Sequence, residues 1–364
     1  MTLLSREIRK DNLYTKSDII ELLSLQGESV KDLLKRALDV KLHFLDNTVR
    51  LRGLIEYSNI CRKNCLYCGV RKSNTKADRY ELSFEDVMNC TETAMKMNYA
   101  SVVIQAGERT DKQFTDKITH LIRAIKEKSN NTIGITLSLG EQSYDVYKQW
   151  YEAGAHRYLL RIESSNKDLY YKIHPRDDLH SYENRLQCIY NLKEIGYQTG
   201  TGVMIGLPEQ TAEDLADDIL FFKNTDVDMV GMGPYIPHQD TPLWEKRYLV
   251  PDKKERMLMT LKMTAVLRLV MPEINIVSAT ANQTIDALGR EKVITAGANV
   301  IMPNLSPEEN RIKYSIYPDK ACVNDKPEKC NSCLNIRMHT INHRIMYGEW
   351  GDSQAFLKRN KKKV

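Results

Sequence analysis

Eight apolar or β-branched runs recur along this chain, each followed by an amphipathic stretch of helical length. The runs are Arg52–Asn59, Ala100–Ala106, Thr132–Leu139, Arg157–Glu163, Gln198–Ile205, Met229–Ile236, Ile274–Ala279 and Asn299–Met302. Strands that alternate with helices pair in parallel, because each helix carries the chain back to the start of the next strand. Eight such units over 250–300 residues predict a (βα)8 barrel of the TIM type rather than an open doubly wound sheet. Ser83 with Asp86, and Thr211 with Asp214, have the spacing of helix-capping boxes. Gly154, Gly196 and Gly297 suit left-handed helix ends. The division that follows is an N-terminal helical cover (1–48), a barrel (49–304) and a cysteine-bearing C-terminal extension with a basic tail (305–364).

Charge narrows the function classes. The 53 basic and 48 acidic residues give a net charge of +5. Lys358, Arg359, Lys361, Lys362 and Lys363 supply five of the bases, so residues 1–357 carry 48 of each sign. A balanced body excludes the basic surface of a nucleic-acid binder. The tail reads as a solvated end. No apolar run approaches the roughly 20 residues of a membrane helix. MTLLSREIRKDN has no apolar signal core, so the expected location is cytoplasmic, with no membrane and no nucleic acid among the partners.

The eight cysteines are unevenly placed. Cys61, Cys65 and Cys68 form C-x3-C-x2-C; Cys322, Cys330 and Cys333 form a second group; Cys90 and Cys188 stand alone within helical patterns and read as packing residues. Clustered thiols in a long cytosolic chain read as metal ligands rather than disulfides. The first group follows the first strand, on a loop of the kind from which barrel active sites are built. Three thiolates can hold three irons of a four-iron cluster and leave the fourth iron open. Zinc would need a fourth ligand, and no cysteine or histidine lies close by in sequence.

C-x3-C-x-aromatic-C after a barrel's first strand, with Tyr67 as the aromatic, resembles the radical S-adenosylmethionine (radical SAM) superfamily. The resemblance implies an oxygen-sensitive [4Fe–4S] cluster on Cys61, Cys65 and Cys68. Its open iron would chelate S-adenosylmethionine and cleave it to methionine and a 5′-deoxyadenosyl radical. Gln105-Ala-Gly107-Glu108 resembles the superfamily's Gly-Gly-Glu segment, with Ala106 in place of the first glycine. IEYSNICRKNCLYCG, TLSLGE, RYLLRIE, YENRL, MIGLPEQT, GPYIPHQDTP and GANVIMPN, in that order, resemble the HydE family of [FeFe]-hydrogenase maturases. That family implies an organometallic substrate, an iron–cysteinate complex bearing two carbonyls and a cyanide, whose sulfur the radical attacks to build a di-iron precursor. It also implies the sister maturases HydG and HydF as partners, and a reductant such as ferredoxin or flavodoxin. By the same resemblance Tyr67, Gln105, Gly107, Glu108, Ser138, Glu163 and Arg185 would contact S-adenosylmethionine. Thr136, Arg161, Thr280, Tyr314 and Tyr317 would face the substrate, with Ala279 beside Thr280 where the family pairs threonines.

Strand alternation makes an independent statement about the interior. It puts Arg157, Leu159, Arg161 and Glu163 on one face of the fourth run, and Tyr158, Leu160 and Ile162 on the other, under the helices. The charged face must then point into the barrel, where branched apolar residues are usual. Two arginines against one glutamate leave a net positive interior suited to an anion, so Arg157 joins Arg161 as a substrate candidate. Cys322, Cys330 and Cys333 would carry an auxiliary iron–sulfur cluster, [2Fe–2S] or [4Fe–4S], as in the resembled family; zinc is the alternative, and His339 and His343 read as surface residues. Methylornithine synthase and biotin synthase share the fold and first motif, but the C-terminal triad favours the maturase. An iron–sulfur electron carrier would explain the cysteines but not a barrel with a polar interior.

Overall fold

The computed structural model describes residues 3–5, 13–324 and 326–361. Among these residues the strands are β1 (Thr48–Leu51), β2 (Gly53–Ser58), β3 (Ser101–Ala106), β4 (Gly134–Ser138), β5 (Ala155–Leu159), β6 (Gln198–Thr201), β7 (Met204–Ile205), β8 (Met229–Pro234), β9 (Asn275–Ser278), β10 (Val300–Ile301) and β11 (Arg344–Met346). All their pairings are parallel, running β2-β3-β4-β5-β6-β8-β9-β10-β1, with β7 on β8 and β11 on the outer edge of β1.

β1 and β2 are one strand interrupted at Arg52, and this closes the ring. β1 pairs with β10, and the chain beyond β10 pairs with β2: Leu54 N donates to Pro303 O at 2.7 Å, and Leu305 N to Leu54 O at 2.7 Å. Seven of the eight predicted runs contain a barrel strand, and the fourth, Arg157–Glu163, overlaps the last three residues of β5. Tyr158, Leu160 and Ile162 are buried, and the Tyr158 ring lies parallel to that of Trp150 from the Tyr144–Glu152 helix. Both capping boxes form, with side chain and backbone bonded reciprocally at Ser83/Asp86 and Thr211/Asp214. Cys90 and Cys188 are buried in helices, as expected. The helices Lys16–Ser24 and Glu28–Leu45 pack on the outer helices Ala212–Asn224 and Lys253–Val270.

Three sequence expectations fail here. The fourth strand ends at Leu159, and Glu163 has φ +67°, so alternation does not run through to Glu163. The basic tail is not a free end in its described part. Gln354–Lys361 is a helix, with Lys358 paired to Glu273 and Arg359 to Asp226 (3.0 Å) and Asp228 (2.5 Å). Lys362 and Lys363 lie outside the described residues. His343 is buried rather than on the surface, its Nδ1 donating to Ile341 O at 2.7 Å; His339 is exposed.

Arg157 also departs from expectation. It is fully buried, and all three guanidinium nitrogens are engaged: Nε with Thr136 Oγ1 (2.9 Å), Nη1 with Asp352 (2.6 Å) and Trp350 O (2.8 Å), Nη2 with Ser101 Oγ. Ser101 opens β3, so the guanidinium points to the N-terminal ends of the strands, opposite the cysteine loop. Asp352 closes this end of the barrel, and also contacts His156 (3.2 Å) and Gln198 (2.9 Å). Burial pushes its carboxyl up, but the His156 hydrogen bond and the Arg157 charge outweigh that and hold it well below the usual range. Asp352→Ala strands a buried guanidinium, which costs about 3–5 kcal/mol. Denaturant titration should show this loss. A carboxyl with a depressed folded-state pKa stabilises above about pH 4 and loses that contribution as pH falls. The variant should therefore unfold in acid with a shallower pH dependence than the parent, and equal stabilities would refute the pairing.

Candidate active site

The segment 59–80 contains no helix or strand, so short turns, such as Cys68 N to Cys65 O (3.3 Å), and tertiary contacts shape the cysteine loop. Leu66 N donates to Ile173 O (2.9 Å), Gly69 N to Ile316 O (3.1 Å) and Arg62 N to Glu108 O (2.9 Å). The loop after β3 lies directly against it. A Cβ on Gly107 would stand 2.4 Å from Ile60 O and 2.8 Å from Cys61 Cβ, so only glycine allows this approach. Gly69 is equally confined, between Ser315 O and the His238 ring.

Cys61, Cys65 and Cys68 are partly buried and reduced. Burial raises all three thiols, Cys68 to about 12; Cys68 and Cys61 further oppose ionisation of Cys65, and Cys61 opposes that of Cys68. Three thiolates here would repel one another unless a cationic centre lay between them, which is what an iron–sulfur cluster provides. The donor set therefore fits the cluster. Tyr67 sits edge-on to His174, with ring centroids 5.4 Å apart. His174 is buried, and burial followed by the Arg185 charge pushes its pKa well down, so its ring is neutral.

Beneath the loop lies a buried ionic group that spacing alone did not reveal. Lys63 Nζ is 3.3 Å from Glu108 and 3.0 Å from Glu141; Arg62 Nε is 3.2 Å from Glu108; Arg185 Nε is 2.5 Å from Glu141. Glu141 N donates to Glu108 Oε2 at 2.9 Å. Glu108 is thus occupied by its own chain, while Arg185 keeps Nη2 and adds only a 3.1 Å bond from Nη1 to Arg161 O. The signal that could have found Glu141 is its place just past the C-terminal end of a barrel strand.

The interior candidates meet above the strands. Gln105 and Ser138 are register partners on β3 and β4, and Gln105 Nε2 donates to the Tyr314 hydroxyl at 3.2 Å. Arg161 pairs with Glu163 at 2.9 Å and donates from Nη2 to Val203 O, while its buried Nε has no hydrogen-bond partner. The expected surplus charge of this strand is absent, because Asp352 neutralises Arg157 and Glu163 neutralises Arg161. Burial, then the Glu56 carboxylate, raise the Tyr317 hydroxyl, which Thr284 hydrogen-bonds and Arg161 and Arg290 face. Glu56, on β2, is buried and held by Lys320 and by Asn304 Nδ2 (2.8 Å). Arg290 is buried, with Nε unbonded. Glu56 and Arg290 escaped sequence reasoning. Thr280 begins the short helix Thr280–Ile285 beyond β9. Thr136 is buried with Arg157, away from this group. The clefts of about 420 Å3 (by Tyr171 and Arg176) and about 360 Å3 (by His43 and Asn299) are lined by none of these candidates.

The Radical SAM superfamily pattern matches residues 55–222. The chain is 41% identical over 339 residues to "[FeFe] hydrogenase maturase subunit HydE" of Thermotoga maritima, covering 93% of each. The chain belongs to the radical SAM superfamily. It is 30% identical over 279 residues to biotin synthase of Sulfurihydrogenibium sp., covering 74% of this chain and 78% of that one. The crystal structure of methylornithine synthase (PylB) superposes with a TM-score of 0.79 at 22% identity, covering 93% of this chain and 96% of that one, and shows the shared barrel.

As a radical SAM enzyme the chain uses a [4Fe–4S] cluster and S-adenosylmethionine. The second cysteine group spans the start of a helix. Cys330 and Cys333 lie one turn apart on the Pro327–Thr340 helix, and Cys322 precedes it with φ +63°. Arg337, on the same helix, pairs with Glu291 and donates to Ala287 O at 2.6 Å. Among the described residues no three His, Cys, Asp or Glu side chains converge on one metal-ion position. Among the described residues no helix is long and apolar enough to cross a membrane.

Proposed function

We propose that this radical SAM enzyme acts in [FeFe]-hydrogenase maturation, on an iron–cysteinate complex bearing carbonyl and cyanide ligands. The observation that carries this reading is the 41% identity with the maturase over 93% of both chains. Biotin synthase matches less of the chain, at 30% identity. When bound, the cluster supplies the electron that cleaves S-adenosylmethionine to methionine and the 5′-deoxyadenosyl radical, which attacks the substrate's sulfur.

The chain's own residues divide the remaining work. Cys61, Cys65 and Cys68 hold the cluster. Arg185, whose Nη2 is not committed within the chain, takes the cofactor's carboxylate by bidentate hydrogen bonds. Tyr67, Gln105, Gly107, Ser138 and Glu163 line the rest of that cofactor site, with Glu108 supporting it through Arg62 and Lys63. Arg161, Thr280, Tyr314 and Tyr317 receive the substrate, and the Gln105–Tyr314 hydrogen bond joins the two sets. Arg290 adds a buried cation whose charge reaches Tyr317, which favours an anionic substrate. Partners of the HydG and HydF kind supply the complex and receive the product, and a ferredoxin or flavodoxin supplies the electron. Cys322, Cys330 and Cys333 carry an auxiliary cluster.

The test is reconstituted maturation of an apo-[FeFe]-hydrogenase with both sister maturases. Hydrogen evolution should require this chain, S-adenosylmethionine and reductant together. Full activation without the chain, or its formation of biotin or methylornithine from their precursors, would overturn the reading.

A further inference from the structure

We infer that Arg79 is a positioning residue for the [4Fe–4S] cluster, gripping the cysteine loop from both ends and placing a fixed positive charge against the backbone just after Cys68. The residue lies eleven positions after Cys68, beyond the motif. Its Nη1 donates to Asn59 O (2.7 Å) and Val70 O (2.7 Å), and its Nη2 to Arg71 O (2.6 Å) and Asn74 O (3.2 Å). Asn59 precedes Cys61 by two residues, and Val70 follows Cys68 by two. One planar group therefore spans the motif from before its first cysteine to beyond its last. No helix or strand in 59–80 could do this instead.

The grip is reinforced around it. Asn59 Nδ2 donates to Asp78 O and Lys313 O, both at 2.8 Å, and Asn59 Oδ1 accepts from Tyr80 N at 2.9 Å. Asn74 Nδ2 reaches back to Gly69 O at 2.6 Å. Lysine could not replace the arginine. An ammonium is a point donor, whereas the guanidinium presents a rigid fork to four carbonyls at once. The charge has a separate effect. The reduced cluster carries one more negative charge than the oxidised one, so a nearby cation stabilises it and raises its potential. Geometry and charge can thus be separated by substitution.

The experiment uses the full chain, reconstituted anaerobically as parent, Arg79→Lys and Arg79→Met. The reduced cluster is followed by electron paramagnetic resonance and assigned to this site by the change in its signal on adding S-adenosylmethionine. An iron chelator should strip the cluster at least tenfold faster from both variants. The midpoint potential should fall in Arg79→Met and stay near the parent's in Arg79→Lys. Failure of both variants to take up the cluster, with apo-protein melting as for the parent, supports the grip. Parent-like stripping in both variants overturns it, as does collapse of the apo-protein fold in both. An unchanged potential in Arg79→Met, or an equal fall in Arg79→Lys, overturns the role of the charge. No hydrogenase substrate enters the assay, so its outcome is independent of the function proposed above.

Discussion

Replacing Cys61, Cys65 and Cys68 together by alanine is expected to abolish 5′-deoxyadenosine formation while leaving the barrel folded. Each thiolate would hold a separate iron, so the triple variant has no anchor for the cluster. The loss should be at least about 1000-fold, more than about 4 kcal/mol at the barrier. The fold should survive because the loop contributes no strand to the ring, and β2 and β3 pair without it. Anaerobic reconstitution, iron analysis and chromatography of the nucleoside product check this. Formation at the parent rate in a folded variant would refute the assignment of these ligands.

The barrel was legible because each strand–helix unit carries its own local pattern. Runs of four to eight residues, bounded by capping signals, need no knowledge of distant chain. What escaped was short or depended on distant partners. β11 has three residues, too few to show a period, and it exists only because β1 offers an edge that β3 does not reach. The tail reads as solvated because its own residues are nearly all basic. The acids that dock it, Glu273, Asp226 and Asp228, come from elsewhere in the barrel.

The site divides in the same way. The cysteine spacing is local and was readable. Alternation correctly turned Arg157 inward but could not say toward which end of the barrel. Its partner, Asp352, is 195 residues away in sequence. Glu163 was assigned by extending a strand that stops at Leu159; the backbone turns over to φ +67° and brings it to Arg161 by another route. Glu56, Glu141 and Arg290 are single charges whose meaning comes entirely from burial and from partners scattered along the chain.

Glu141 is where that nonlocal chemistry should matter most. Its carboxylate is buried and meets Lys63 of the cysteine loop (3.0 Å), Arg185 (2.5 Å) and Asn184 Nδ2 (2.6 Å). Burial raises its pKa, but the Arg185 and Lys63 charges outweigh burial and keep it ionised. Glu141→Gln keeps the shape, removes the charge and offers one acceptor oxygen in place of two. Lys63 and Arg185 would then share Glu108 as their remaining buried acid, and Arg185 would turn toward it, away from the cofactor's carboxylate. The KM for S-adenosylmethionine should rise at least about tenfold, equivalent to about 1.4 kcal/mol of lost binding. The kcat for 5′-deoxyadenosine should fall less, because the cysteines remain in place. Asn184→Ala removes one hydrogen bond from an uncharged donor to the same carboxylate and leaves both ion pairs that orient Arg185, so its KM should change by less than about threefold, equivalent to about 0.7 kcal/mol. Equal KM values in Glu141→Gln and the parent would show that Arg185 is held by other contacts. Equal effects in the two variants would show that the carboxylate's hydrogen-bonding shape, rather than its charge, sets the guanidinium.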